Sequence, residues 1–323
     1  MNVVVGIDEN GLGPRLGPLV VTMVVASTSD EGRARAEARP KGAMRARLGD
    51  SKKLVAFGDT ALGEAWARAI ARRMGLREAQ VATPDELVNA LSLDSRDALR
   101  APCPEHHGAQ CWGTRDEALV STPEQAKLVA KVEKDLAKLE ELGVHIERAT
   151  CVVTCARRLN DGVDRGLTRF HMDLHAMERL MLDARERAGR DIVATCGKVG
   201  GFNSYSAAFG PMSGRLHAVA MEGRARSEYH MPGVGQLAFV RDADAKHMLV
   251  CMASLVGKWV RDLLMARIVR YHRAELPDAP DASGYHDPVT TRFISATRLS
   301  RKKRGLPDEC FERRALGNES SLT

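Results

Sequence analysis

Residues 6–18 read GIDENGLGPRLGP and follow the apolar run Val3-Val4-Val5. The run predicts a short buried strand with Asp8 and Glu9 at its end. Gly11, Gly13 and Pro14, then Gly17 and Pro18, predict a tight turn into a second apolar strand, Leu19 to Ala26. Two adjacent carboxylates at a strand end, beside backbone kept bare by glycine, suit a hard divalent cation facing a phosphate backbone. Oxygen ligands hold such cations, and glycine admits close approach. Taken alone, such a stretch is more often an exposed acidic turn in a hairpin.

Outward from this stretch, strands and helices alternate, which predicts an α/β domain. Apolar residues at helical spacing predict helices over 61–74, 123–142, 167–188 and 253–271. In 167–188 the buried candidates are Met172, His175, Met177, Leu180, Met181 and Ala184. In 253–271 Leu255, Val256, Trp259, Leu263 and Ile268 face the core, while Lys258, Arg261 and Arg267 stay wet. Strands are expected over 146–154, 192–195, 216–221 and 236–240, and residues 32–49 read as a basic loop.

Composition bounds the classes. The 323 residues are enough for one large domain or two ordinary ones. With 44% apolar and 28% charged residues the chain is globular, and with 4% aromatics it is not built to stack single-stranded bases. The longest apolar run, Leu19 to Ala26, is too short to span a bilayer, and the first residues lack the pattern of a secretory leader. The expectation is a cytoplasmic protein with no membrane partner. Seven cysteines, an odd number, argue against a disulfide framework. The net charge is +6, and seven Lys/Arg against three Asp/Glu lie between Arg298 and Arg314. Such a patch either contacts phosphates or is a solvated tail.

Four blocks, in order, carry a resemblance. GIDENGLGP followed by Gly17-Pro18 is similar to GIDEAGRGP…GP. Asp50-Ser51-Lys52-Lys53-Leu54 matches DSKKL. Ala243-Asp244-Ala245, with ASLVGKWVRD at 253–262, resembles ADA…AASIxAKVxRD. Gly284-Tyr285, with Asp287-Pro288-Val289-Thr290, resembles GSGYPSDPxT. These are the patterns of the ribonuclease HII family (type 2 ribonuclease H). The resemblance implies a ribonuclease H-like α/β fold with a mixed central sheet flanked by helices, a helical insertion and a small C-terminal part. It implies residues 1–275 as catalytic domain, with the insertion at about 77–143, and 276–323 as a basic substrate-binding part. It implies Asp8, Glu9 and Asp244 as catalytic carboxylates holding Mg²⁺ or Mn²⁺. Gly11, Leu12, Gly13, Lys52 and Lys53 would lie along the nucleic acid, and Tyr285 at the ribose where a 2′-OH distinguishes RNA. The implied partner is an RNA/DNA hybrid or duplex DNA containing ribonucleotides, bound by a monomer.

Two positions depart from the pattern. The third catalytic Asp, in the context DYVLIDGN, falls on Cys196 of the segment DIVATCGK. The arginine of the GRG turn is Leu12. A thiol is a poor Mg²⁺ ligand, and Asp191 lies at the other end of the short strand, ~16 Å away. Two readings follow: a metal-dependent endonuclease of the RNA strand, or a nucleic-acid-binding paralogue with catalysis impaired or lost. Separately, Cys103, His106, His107 and Cys111 place four zinc-type ligands within nine residues, though at cramped spacing. Cys151 and Cys155 read as core residues.

Overall fold

The computed structural model describes residues 1–56, 58–106 and 108–314. Val3, Val4, Val5 and Ile7 are all buried, and a strand apolar on both sides belongs at the centre of a sheet. It does so here. β1 (Asn2–Asn10) pairs antiparallel with β2 (Leu19–Thr28) and parallel with β4 (Ile192–Gly197). β3 (Val144–Thr154) extends the sheet beyond β2. β7 (Gly235–Val240), β6 (Arg226–Met231) and β5 (Ala218–Glu222) extend it beyond β4. The result is a mixed seven-stranded sheet of order β3-β2-β1-β4-β7-β6-β5.

The helices, in chain order, are α1 (Asp30–Ala36), α2 (Ser51–Leu54), α3 (Ala61–Arg73), α4 (Pro84–Leu91), α5 (Arg96–Arg100), α6 (Pro123–Glu141), α7 (Ala156–Asp164), α8 (Arg169–Ala188), α9 (Ala243–Lys246), α10 (Met248–Arg273), α11 (Pro288–Lys303) and α12 (Asp308–Phe311). The expected α/β architecture, a mixed sheet flanked by helices, is therefore the one adopted.

Alternation along β1 builds two cores. Val4, with Val20 and Val24 of β2, packs under α3, α6 and α10. Val3, Val5 and Ile7, with Ala194 and Cys196 of β4, pack under α8. A third, smaller cluster joins Leu16, Met265, Phe293 and Phe311, and so ties the turn after β1 to the last helices.

Several sequence expectations are revised. The basic segment at 32–49 is partly helical, as α1. β6 was not foreseen, because RSEYHM is polar; it shows alternating burial. α10 begins at Met248, five residues early. Arg261 and Arg267 are not wet but 2% and 1% exposed. Carboxylates of the 77–143 segment supply the reason for Arg267, which pairs with Asp85 at 3.2 Å and Glu117 at 2.5 Å, while Arg261 pairs with Asp262 at 3.2 Å and donates to the Ser283 carbonyl at 3.1 Å. That segment also lays α6 on α3 and β3 within the first core. In the basic C-terminal stretch, the Arg301 guanidinium lies 3.8 Å above the Phe311 ring and Arg313 is 3% exposed. Arg292, Arg298, Lys302 and Lys303 are the exposed cations of α11. Among the described residues no helix is long and apolar enough to cross a membrane.

Candidate metal and nucleic-acid site

Asp8 lies on the same face of β1 as Val4 and Gly6, beneath α10. A Cβ on Gly6 would come 2.5 Å from Leu249, so glycine is what lets α10 settle on the strand. The descent brings Ser254 near Asp8, where its hydroxyl favours the ionised carboxylate. Asp8 is 6% exposed. Asp244 sits on α9, one turn ahead of α10, and is half-buried. The DSKKL block forms α2: Asp50 caps it by accepting the Lys52 N–H at 3.0 Å, and Ser51 Oγ meets Ser254 Oγ at 2.9 Å. α2 is thereby fastened to α10, and the Lys52 charge bears on Asp8, Glu9 and Asp244. Lys53 points elsewhere, with its Nζ 3.6 Å from Asp50.

Burial sets the electrostatics. It holds the Asp8 carboxyl well above the usual range, Glu9 and Asp244 push it further, and Ser254 and Lys52 draw it back. Burial likewise pushes Glu9 up to about 7, with Asp244 adding and Lys52 opposing. Asp244 is raised by burial, with Asp50 and Asp242 contributing. Three acids facing one lysine favour protons or a cation. Among the described residues, no three His, Cys, Asp or Glu side chains form a group that could hold a metal ion. The donor chemistry nevertheless fits a hard divalent ion. There is also a cradle: the point where a Cβ on Gly197 would stand is 2.7 Å from Asp8 Oδ1 and 3.5 Å from Glu9 Oε2.

The β4 register clarifies the departure at Cys196. Ile7 is opposite Cys196, so Asp8 falls beside Gly197. Cys196 is fully buried on the α8 face, where burial, and then the charges of Asp173 and Asp8, push its thiol up. It is a protonated core residue beneath the site, and the strand position flanking Asp8 carries no side chain. Sequence reasoning missed Asp173. This residue of α8 is 0% exposed, neither carboxylate oxygen has a hydrogen-bond partner, and burial followed by Glu9 and Asp8 holds it well above the usual range.

Beside the acids lies the glycine turn. Gly11 and Gly17 have φ of +91° and +80°, where a side chain is strained. Arg313 donates from Nη1 to the Gly11 carbonyl at 2.6 Å and from Nε to the Gly17 carbonyl at 2.8 Å. Arg169 donates to the carbonyls of Leu12 and Gly13, both at 3.2 Å. The N–H groups of Arg15 and Leu16 bond the Gly284 carbonyl at 2.8 and 3.0 Å. Tyr285, the next residue, is 47% exposed with the Arg261 guanidinium 4.5 Å from its ring centre. Arg261 also lies against Gly11, where a Cβ would meet its Nε at 2.6 Å. The first and last sequence blocks are thus stitched together. Leu12 is half-buried and leans on the α8 core; Gly13 is exposed.

The zinc arrangement drawn from Cys103, His106, His107 and Cys111 does not form among the described residues, and His107 lies outside them. His106 Nε2 pairs with the Gly305 carbonyl at 3.2 Å. Cys103 and Cys111 instead line a cavity of about 20 Å³ with Cys155 and Cys310. Cys151 is a core residue, as expected, while Cys155 belongs to this cavity and is half-buried.

No protein-family model and no curated protein matches the chain. Among solved structures it is similar to one of the PCNA:RNase HII complex from Archaeoglobus fulgidus, at 16% identity over 99% of this chain and 98% of that one, with a TM-score of 0.40. It is similar to Bst-RNase HIII in complex with Mn²⁺ at 12% identity over 98% and 68%, TM-score 0.46. Against the ribonuclease H2 from Pyrococcus horikoshii OT3 the figures are 13% over 96% and 92%, with 0.37. At such identities and scores the likeness adds no argument about activity, which rests on the residues themselves.

Proposed function

We propose that the chain is a divalent-metal-dependent endonuclease of the ribonuclease HII kind. It would bind RNA/DNA hybrids or ribonucleotide-containing duplex DNA and hydrolyse the RNA strand. The reading is supported by proximity in space across long sequence distances: Lys52 and Asp244, the latter 235 residues beyond Glu9, lie near enough for their charges to bear on Asp8 and Glu9. Tyr285 and the Gly11–Gly13 turn adjoin each other through Arg261.

Asp8, Glu9 and Asp244 would hold Mg²⁺ or Mn²⁺. A bound ion supplies an activated water and stabilises the leaving 3′-oxygen. The chain's own residues do the rest. Lys52, exposed at the rim, contacts the phosphate backbone and offsets its charge near the acids. The exposed Gly13 lets the strand approach the turn. Tyr285, held on Arg261, packs against the ribose, where a 2′-hydroxyl separates RNA from DNA. Protein of this kind would act as a cytoplasmic monomer.

A second reading is supported by Gly197: no carboxylate stands beside Asp8 on β4. It makes the chain a hybrid-binding module with impaired catalysis. A cleavage assay in Mg²⁺ and in Mn²⁺, on a duplex with one ribonucleotide, separates the two. Incision 5′ to the ribonucleotide, lost in Asp8→Asn, supports the nuclease. Salt-sensitive binding without incision supports the module. No binding to any duplex overturns both.

A further inference from the structure

Away from the acids, one cavity joins apolar surface to unanswered positive charge. α1, the segment 38–44, the last turns of α6 and Met248 at the start of α10 line a space of about 630 Å³. Its walls are fastened to one another. The Ala38 carbonyl accepts the Met248 N–H at 3.1 Å, and Arg47 grips Asp135 of α6 with two hydrogen bonds, at 2.6 and 2.8 Å. Met44, Leu139, Leu142 and Met248 give the cavity an apolar lining, and among the described residues none that lines it is aromatic. Four cations share the wall: Arg35, Arg39, Lys41 and Lys138, all exposed. Among the described residues none of the four makes an ion pair or a side-chain hydrogen bond. Two acids line the same space. Asp135 is already held by Arg47, which leaves only Glu31 to offset four cations.

Helix ends account for part of this. Arg35 and Lys138 sit in the last turns of α1 and α6, where a cation suits the end of a helix. Arg39 and Lys41 lie beyond both helices, and that reason does not reach them. Nor does it explain an apolar hollow left open beside them. Cavities of roughly 300–1,000 Å³ are the size that encloses a small organic ligand. A phosphate backbone would leave the apolar lining unused, and unpaired bases would find no ring to stack on. A neutral apolar ligand would leave the cations unanswered. We infer that this cavity binds a small amphipathic anion, a molecule with a carboxylate or phosphate head and an aliphatic body. The body fills the hollow, where the unbranched side chains of Met44 and Met248 adapt to its shape. The head lies among the four cations. The cavity shares no lining residue with Asp8, Glu9, Lys52 or Asp244, so the inference stands apart from the proposed function.

The test uses the full-length chain and two probes kept below micelle formation, dodecyl phosphate and dodecanoate, titrated by calorimetry. Both should bind, and the tighter of the two names the head group. Dodecyltrimethylammonium has the same tail and the opposite charge, and inorganic phosphate has no tail. Each should bind at least ~tenfold more weakly. Arg39→Glu combined with Lys138→Glu should weaken both anionic probes by about tenfold or more. Ala34→Phe fills the hollow and leaves every charge in place, and it should weaken them as much. It keeps the test decisive if the double charge reversal does not fold. Binding of neither anionic probe overturns the inference, as does equal binding of the cationic one. Unchanged affinity in both variants places the probes elsewhere on the chain and overturns it too. A ribonucleotide-containing duplex and a polyglutamate peptide are titrated alongside. If the double charge reversal weakens either of these while the anionic probes are unaffected, the cations serve a macromolecule and the inference falls.

Discussion

The two faces of the sheet at the end of β1 treat negative charge in opposite ways. On the α10 face, Asp8 has a hydroxyl from Ser254 and the charge of Lys52 drawing it back toward ionisation. On the α8 face, Asp173 has neither, only an apolar core and two like charges. The difference shows which half of the site the protein completes by itself. The α10 half is preorganised by its own hydrogen bonds, through the Ser51–Ser254 contact that fastens α2 in place. The α8 half has no such partners: both oxygens of Asp173 lack a hydrogen bond, and burial favours its protonated form.

Four experiments press on this contrast. The largest effect is expected from Asp8→Asn, which strips the α10 face of its central carboxylate. Cleavage should fall by ~10²–10³ or more in single-turnover assays. Wild-type activity in that variant would mean the charge matters on the α8 face alone. Next is pH. Glu9 is raised to about 7, so the fold takes up its proton more readily than the unfolded chain does. The stability from that group is fully present below the ordinary glutamate range near 4.5 and lost as pH rises through about 7. The metal-free Tm should therefore decline across that window, and Mn²⁺ should restore more at pH 8 than at pH 5. A flat metal-free profile would show that the acids are already neutralised by something else. Third, Lys52→Ala should reduce the salt dependence of hybrid binding by about one phosphate contact. Lys53→Ala should do less, since Asp50 holds its ammonium at 3.6 Å. Equal effects would remove the privilege assigned to Lys52. Smallest is Cys196→Ala. A thiol packed in the α8 core should cost about 1 kcal/mol in chemical denaturation and leave Mn²⁺ affinity unchanged. A change in affinity would make the thiol part of the site.

Much of this was written in the chain. The apolar runs of β1 and β2 and the periodicities of α3, α6, α8 and α10 mark their elements, because burial on one stripe or on both faces leaves a regular trace. The candidate residues Asp8, Glu9, Asp244 and Lys52 were singled out from their blocks, and the structure sets the charge of Lys52 against all three acids. β6 was not, since its outward residues are charged. The burial of Arg267 was not, because its partners Asp85 and Glu117 come from a distant segment. Asp173 was the harder case. It lies four residues before Met177 and seven before Leu180, squarely on the apolar stripe of α8, yet an aspartate normally marks the wet side of a helix. Only the packing of α8 on β4 reveals it as an inward charge. The register also redefines Cys196. The family pattern puts it at a missing aspartate, but the pleat sets it on the face of Ile7 and leaves Gly197 beside Asp8.

Arg313 gives the site a place in time as well as in space. The turn that follows β1 leaves the ribosome well before Arg313, and until then the carbonyls of Gly11 and Gly17 are without their buried donor. That donor arrives some three hundred residues later. Since domains fold from the N-terminus as they emerge, the sheet gathers while the loop beside Asp8 and Glu9 is still unfastened. A nascent chain thus carries its acids long before the loop beside them is held, and a chain truncated before Arg313 lacks the donor that latches that loop.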